Sequence, residues 1–169
     1  DDTLDPCMYT ARGPMLGGEF RYLFPRTQGL FDVQYMANDR GESVGLADTH
    51  DKERYLIKAS NTTKLGDGWL LLSSINRVSD SAYYYDYGEN LSGSPVRTLG
   101  SNVSVRGAGK WWNAAVGATV YQNVNPFLTD ASLQYRQLPY ATFSMDVPLA
   151  HWLAFGMDTQ AVAFRQPGY

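Results

Sequence analysis

The chain has 169 residues, of which 44% are hydrophobic, 14% aromatic and 18% charged, and its formal net charge is -3. This aromatic content excludes an intrinsically disordered chain, and the acidic balance argues against a nucleic-acid-binding protein. No apolar stretch approaches the ~20 residues of a membrane-spanning helix, and the first residues lack the apolar core of a signal peptide. The length predicts one domain, residues 1–169, with no second domain.

Apolar and polar residues alternate along most of the chain, which is the period of a β-strand. Leu56 is an exception within its strand, since it occupies a position on the polar side. No segment has a convincing helical period. In chain order the predicted strands lie at 3–11, 16–24, 31–35, 54–60, 69–78, 102–106, 113–120, 140–146 and 153–160. We therefore expect about nine antiparallel strands in one continuous up-and-down sheet.

The alternation predicts a sheet with two chemically different faces. One face is expected to carry Glu19, Arg21, Asp32, Lys58 and Asp158. The other is expected to carry Phe20, Tyr22, Val33, Ile57 and Phe155. A soluble β-sandwich would bury the apolar face against a second sheet, whereas a membrane barrel turns it towards lipid and keeps the polar face in a watery lumen.

The connections between the predicted strands favour the barrel. Long connections at 37–53, 79–97 and 123–138 alternate with shorter ones at 25–29, 61–68, 107–110 and 147–151. In an up-and-down sheet, alternate connections share an edge, and outer-membrane barrels have long loops at one edge and short turns at the other. Aromatic residues also gather near the strand ends, as they do at membrane interfaces. The pattern predicts an incomplete transmembrane β-barrel segment.

Few residues suggest covalent chemistry. The acidic loop around His50, with Asp48, Asp51 and Glu53, could bind a cation, but its spacing matches no metal motif. No Gly-x-Ser-x-Gly motif accompanies His50 or the other histidine, and the single cysteine has no partner for an internal disulfide. The tyrosine-rich segment 83–89 could stack against a carbohydrate. We expect no catalytic residue, no metal site and no cofactor.

Four segments resemble one known family. The segment 17–23, GGEFRYL, resembles part of the lipopolysaccharide-assembly outer-membrane proteins of the LptD family. Residues 3–13 resemble that family's first barrel strand and turn, 76–88 a strand end with the following loop, and 135–139 the entry to a later strand. The four segments occur in family order and span nearly the whole chain.

The resemblance implies the N-terminal portion of a very large outer-membrane barrel in a Gram-negative bacterium. Its implied function is lipopolysaccharide transport and insertion into the outer leaflet, with no enzymatic step. The implied partners are lipopolysaccharide, outer-membrane lipids, the plug lipoprotein LptE and, through an N-terminal domain, periplasmic Lpt bridge proteins. Cys7 does not match the family's disulfide positions.

The resemblance also places Pro6 at the family's proline position on the first strand, beside the lateral seam of the barrel. A proline lacks an N–H and deletes one hydrogen bond from a ladder. The alternatives that stay open are a small porin-like barrel, an outer-membrane enzyme with a Ser-His-acid site, and a soluble β-sandwich.

Overall fold

The computed structural model describes residues 2–9, 12–41, 52–87, 98–127 and 136–165, with the backbone alone for 2–9 and 136. Within these ranges the chain forms nine β-strands and one five-residue helix, α1 (Tyr83–Tyr87). The strands are β1 (Asp2–Tyr9), β2 (Gly13–Leu23), β3 (Thr27–Asp39), β4 (Lys52–Gly66), β5 (Trp69–Val78), β6 (Thr98–Ala108), β7 (Trp112–Asn123), β8 (Arg136–Ala150) and β9 (Leu153–Arg165).

All nine strands belong to one sheet, in the order β1 to β9, and each pairs antiparallel with the next along the chain. This confirms the prediction of an all-β, up-and-down segment of about nine strands. β1 and β9 lie at opposite edges of the described sheet, so the described strands do not close into a small barrel. They also form a single sheet, which does not fit the β-sandwich alternative.

Most strands are longer than the alternation predicts; β3, for example, has 13 residues. β4 and β8 each have 15 residues. β4 continues through the polar run at 61–64, so the connection to β5 is a turn at Asp67 and Gly68, where both φ angles are positive (50° and 80°). Positive φ at both central residues is typical of a tight hairpin turn. The expected connection at 61–68 is therefore wrong, because polar strand residues were interpreted as a loop.

The long connections share one edge of the sheet. The strand ends that the β3–β4, β5–β6 and β7–β8 connections join lie there, together with Arg12 of the β1–β2 turn. We call this the loop edge, and the opposite one the turn edge. α1 belongs to the loop edge. Within the described residues, no helix has the length and apolar character needed to span a membrane.

Glycines allow aromatic rings to lie flat against the sheet. Gly117 pairs with Ser104 on one side and Tyr140 on the other. A Cβ atom at position 117 would lie 2.7 Å from the Tyr140 hydroxyl and 2.7 Å from the Val103 carbonyl oxygen. The Val103 oxygen is backbone and cannot move aside. Tyr140 therefore packs over Gly117 only because that residue has no side chain.

Replacing Gly117 with Ala is expected to destabilise the protein by about 1–3 kcal/mol, the usual cost of overpacking. Gly156→Ala is the matched control, because its added Cβ would meet only the Met145 carbonyl, at 4.0 Å. Urea unfolding of the full-length protein in detergent, followed by tryptophan fluorescence, measures the difference. Equal stability of the two variants would contradict this packing.

Candidate functional site

The register of the ladder places the charged residues predicted for the polar side on one face. Glu19 pairs with Asp32, and Asp32 pairs with Lys58, so their side chains share a face. Arg21 lies two residues from Glu19 and forms an ion pair with it at 2.5 Å. Asp158 joins the same face through the β6–β9 ladder, where it pairs with Ser144. We call this the polar face.

The opposite face is apolar and exposed within the described sheet. Val33 pairs with Ile57 there, and Tyr22 and Phe155 share that face by the same register. Phe20 is 49% exposed. Other exposed side chains of this apolar face are Leu16, Phe31, Ile75, Val103, Val116 and Met157. A continuous exposed apolar surface of this kind marks contact with lipid or with another protein.

Aromatic residues border the apolar face at both edges. All four tryptophans of the chain, at positions 69, 111, 112 and 152, lie in or beside the turns of the turn edge. The rings of Trp69 and Trp112 are 5.6 Å apart, and the Lys110 ammonium lies 4.7 Å above the Trp111 ring. Near the loop edge, Tyr35 pairs with Tyr55 on the apolar face. Two such bands are typical of transmembrane barrels.

On the polar face, a small hydrophobic core lies under α1 near the loop edge. Tyr83 of α1 is 2% exposed and packs over buried side chains from five strands, β2 to β6, and the chain after β7. Leu56, the residue that breaks the alternation of β4, is one of them. The other members are Met15, Met36, Val78, Leu99 and Val124. Met15, Met36, Leu56 and Val78 therefore occupy polar-face positions where α1 covers them.

Arg54 is the centre of a charged cluster beside this core. Its side chain is only 1% exposed and lies on β4. The guanidinium donates to Asp80 through Nε (2.9 Å) and Nη2 (2.8 Å). Nη1 donates to Asp39 (2.9 Å) and to Asp86 (2.6 Å). A buried cation is stable only when such partners replace its hydration.

A second arginine and a tyrosine complete the cluster. Arg12, in the β1–β2 turn, lies 2.9 Å from Asp39 and 3.1 Å from Asp86. The Tyr87 hydroxyl donates to Asp39 at 2.5 Å, and the Tyr87 ring lies under the Arg54 guanidinium at 4.8 Å. We call Arg12, Asp39, Arg54, Asp80, Asp86 and Tyr87 the Arg54 cluster.

Tyr87 takes part in the Arg54 cluster as a protonated hydroxyl. Burial, reinforced by the hydrogen bond to Asp39, raises the pKa of Tyr87 to about 12. At neutral pH the hydroxyl therefore remains a donor. The cluster joins the β1–β2 turn, β3, β4, the chain after β5, and α1. It consequently holds α1 and the adjoining chain against the polar face.

The polar groups of the Arg54 cluster bond one another, so few of them are left to bind an external ligand. In the segment 83–89, the candidate for stacking against a carbohydrate, Asp86 and Tyr87 belong to the cluster and Tyr83 is in the core. Tyr85 alone of the helix tyrosines is well exposed, at 62%. Within the described residues, no group of three or more His, Cys, Asp or Glu could hold a metal. His50, Asp48, Asp51 and Glu89 lie outside the described residues.

Sequence patterns indicated the two faces but missed the cluster. Asp39 and Arg12 fall in predicted connections, and the pattern does not distinguish Arg54 from the other polar residues of its strand. The position of Leu56 is the sequence signal that indicates the site. An apolar residue on the polar side of a strand is expected to be buried by another segment of the chain. The segment 76–88, singled out by resemblance alone, contains Asp80, Asp86 and Tyr87.

Replacing Arg54 with Met is expected to destabilise the full-length protein by about 3–5 kcal/mol, because Asp39 stays buried and loses a partner. The control is Arg21→Met, since Arg21 is 62% exposed and its ion pair is expected to contribute less than about 1 kcal/mol. Thermal unfolding in detergent compares the two. A smaller loss for Arg54→Met than for Arg21→Met would contradict the central role of Arg54.

Comparisons with known proteins agree with the geometry. The family model described as "LptD: LPS transport system D" matches residues 52–169. The LPS-assembly protein LptD of Xanthomonas oryzae pv. oryzae (strain MAFF 311018) is 33% identical over 165 residues, which are 97% of this chain and 19% of that protein. Its counterpart from Xylella fastidiosa (strain Temecula1) is 30% identical over 166 residues, 98% of this chain and 20% of that protein.

The chain thus spans about a fifth of the length of these relatives. The family match covers more than half of the chain and includes the strands that carry Arg54, Lys58 and Asp158. The identity extends over nearly all of it. The chain belongs to the LptD family.

Proposed function

We propose that this chain forms part of the wall of an outer-membrane barrel that transports lipopolysaccharide and inserts it into the outer leaflet. The observation that carries the proposal is a single open sheet with one exposed apolar face and one polar face, in a member of the LptD family. A wall of this kind separates lipid from an aqueous passage. In this view residues 1–169 are one portion of a larger barrel domain.

The apolar face contacts lipid and the polar face lines the lumen. On β3 and β4 the apolar face begins with the paired Thr27 and Thr63 at the turn edge and ends with the paired Tyr35 and Tyr55. Eight residues separate Thr27 from Tyr35, which is about 26 Å along a strand. A strand tilted by about 40° spans ~20 Å of membrane thickness in that length, close to the apolar band of known barrels.

The Arg54 cluster supports the same orientation. α1 packs on the polar face, so the connection that follows β5 folds over the inner side of the wall. A buried network of two arginines and three aspartates is unstable against hydrocarbon, where an unpaired charge cannot be hydrated. The same network is well placed at the border of an aqueous lumen. The loop edge is then the extracellular side.

The lumen is also where we place the partners that the family implies. The plug lipoprotein LptE would occupy the interior beside the polar face, where Glu19, Asp32 and Lys58 offer hydrogen-bonding groups. Periplasmic Lpt bridge proteins would deliver lipopolysaccharide at the turn edge through another domain. Transport moves a lipid without making or breaking covalent bonds, so no catalytic residue is needed.

The structure fits a small porin-like barrel or an outer-membrane enzyme less well than it fits a portion of a transport barrel. A closed small barrel needs β1 and β9 to pair, and in the described sheet they lie at opposite edges. An enzyme of the kind considered needs a histidine beside a serine and an acid. His151 lies in the exposed β8–β9 turn. Family membership favours transport over both.

The decisive experiment is depletion of the full-length gene in its own host. Newly made lipopolysaccharide is expected to stop reaching the cell surface, measured by its modification with an outer-leaflet lipid A palmitoyltransferase. Complementation with the wild-type gene serves as the control. Unchanged surface delivery during depletion would overturn the proposed function.

Replacing Phe20 with Arg tests the orientation of the wall. Phe20 lies midway along the apolar face, paired with Phe31, so the charge is expected to cost about 2–4 kcal/mol near the bilayer midplane. The neighbouring Glu19→Arg variant, on the polar face, is expected to cost less than about 1 kcal/mol. Unfolding in lipid vesicles measures both. A larger cost for Glu19→Arg would place lipid on the wrong face.

We also propose that Pro6 weakens the lateral seam. It lies on β1, opposite Leu16 of β2, and β1 is an edge strand of the described sheet. In the full barrel the free side of β1 would meet the last strand. The missing N–H removes about 1 kcal/mol of net hydrogen bonding from that seam, which eases lateral opening for lipid exit.

Replacing Pro6 with Ala restores the donor and is expected to slow lipopolysaccharide export. Cells are expected to become more sensitive to bulky antibiotics while the amount of folded barrel stays the same. Met8→Ala on the same strand is the control. A Pro6→Ala barrel that folds normally and exports at the wild-type rate would eliminate the seam role.

A further inference from the structure

Arg77 is a charged residue on the apolar face. It pairs with Ile57, which in turn pairs with Val33, so all three side chains share that face. Arg77 is exposed. Among the described residues, the ion pairs involve Arg12, Arg21 and Arg54, and no carboxylate is paired with the Arg77 guanidinium. The exposed guanidinium is therefore available to an anion from outside the described residues.

The depth of Arg77 in the wall indicates which part of a membrane it meets. Ile57, its partner, lies two residues from Tyr55 of the aromatic band near the loop edge. Trp69, at the other end of β5, is eight residues away, or about 26 Å along the strand. A long basic side chain at such a border extends to the headgroups while its stem stays in the apolar layer. Arg77 therefore lies at the headgroup level of the leaflet next to the loop edge.

The ladder beside Arg77 is interrupted on the β6 side. Pairing between β5 and β6 ends at Ser74 and Asn102. Beyond it, Ser101 Oγ accepts from the Asn76 N–H and donates to the Asn76 carbonyl, each at 3.0 Å. The backbone of Val78 is bonded by the Gln122 amide, at 3.1 and 2.7 Å.

These side-chain hydrogen bonds satisfy the backbone N–H and C=O groups of β5 on the side next to β6. No β6 residue is paired with Arg77 as a result. In the described sheet, Arg77 therefore has a paired neighbour on β4, Ile57, and none on β6. The β5 edge remains hydrogen-bonded, so this interruption does not expose unsatisfied backbone groups.

We propose that Arg77 binds a phosphate of a phosphorylated glycolipid in the outer leaflet, an inference that rests on the proposed function. A guanidinium donates two parallel hydrogen bonds to phosphate, and the contact is strong where water is scarce. Tyr35 and Tyr55 lie on the same face at the same edge of the sheet. The wall thereby holds inserted lipid by its headgroup at a fixed depth.

The test uses the full-length protein with a photoreactive amino acid at position 55, reconstituted in phosphatidylcholine vesicles. Diphosphorylated lipid A is titrated in, and cross-linked lipid is measured after illumination. Arg77→Gln is expected to raise the half-saturating lipid A concentration about tenfold, the loss of a charge-assisted contact. Arg77→Lys keeps the charge but not the two parallel hydrogen bonds, so it is expected to raise the half-saturating concentration less than Arg77→Gln does. Arg106→Gln, an exposed arginine on the polar face, is the matched control and is expected to change nothing.

Two comparisons identify the lipid. Dephosphorylated lipid A is expected to bind wild type as weakly as diphosphorylated lipid A binds Arg77→Gln, and phosphatidylglycerol is expected to bind weakly to all variants. Equal half-saturation for wild type and Arg77→Gln, or equal binding of the dephosphorylated lipid, would overturn the proposal. Equal binding of phosphatidylglycerol would also overturn it, since any phospholipid phosphate would then suffice.

The experiment distinguishes a wrong orientation of the sheet from a wrong phosphate site. If position 55 cross-links to no lipid at all, including the phosphatidylcholine of the vesicles, the apolar face does not meet lipid and both proposals fail. Cross-linking to phosphatidylcholine without any effect of Arg77→Gln overturns the phosphate site alone. Heat-dependent migration on gels verifies that each variant is folded.

Discussion

Backbone hydrogen bonding between neighbouring strands sets a register that runs through the whole sheet, and the two-faced character of the molecule depends on it. A slip of one residue in any pair would move that strand's side chains to the opposite faces. Glu19, Asp32 and Lys58 would then no longer lie together. The apolar face would then carry further charged residues and would no longer be continuous.

The Arg54 cluster adds a second constraint at the loop edge. Charges buried this deeply are costly unless every partner is in place, and the partners of Arg54 come from β3, from the chain after β5 and from α1. The β1–β2 turn joins through Arg12. The ion pairs of the Arg54 cluster thus connect segments that are distant in the sequence. The core under Tyr83 contributes hydrophobic burial beside the ion pairs, so α1 is held both by apolar contact and by charge.

The two edges of the sheet differ in the length of their connections and in the residues they carry. Tight turns and tryptophans occupy the turn edge, where chain reversal needs few residues and flat rings suit an interface. The loop edge carries the long connections and, on its polar side, the cluster. Near the loop edge β6 leaves the β5 ladder, and Ser101 and Gln122 replace the missing backbone bonds. A strand can separate there without leaving buried polar groups unpaired.

Local pattern was enough to predict the strands, their number and the order of long and short connections. Period-two alternation is a property of consecutive residues, so it is visible in any one strand without knowledge of its neighbours. It failed where a strand is polar on both faces, as in the second half of β4. It also failed for β8, whose ends fall outside the apolar run.

The sequence by itself determined the two faces and, through the resemblance at 17–23 and 76–88, the family. The tertiary structure alone decided that Asp39, Asp80 and Asp86 converge on Arg54, because that meeting depends on register and on how a connection folds back. It also decided that Arg77 lies on the apolar face without a carboxylate partner in the described chain. Alternation shows which residues share a strand face; only strand pairing shows which residues, far apart in the chain, become neighbours.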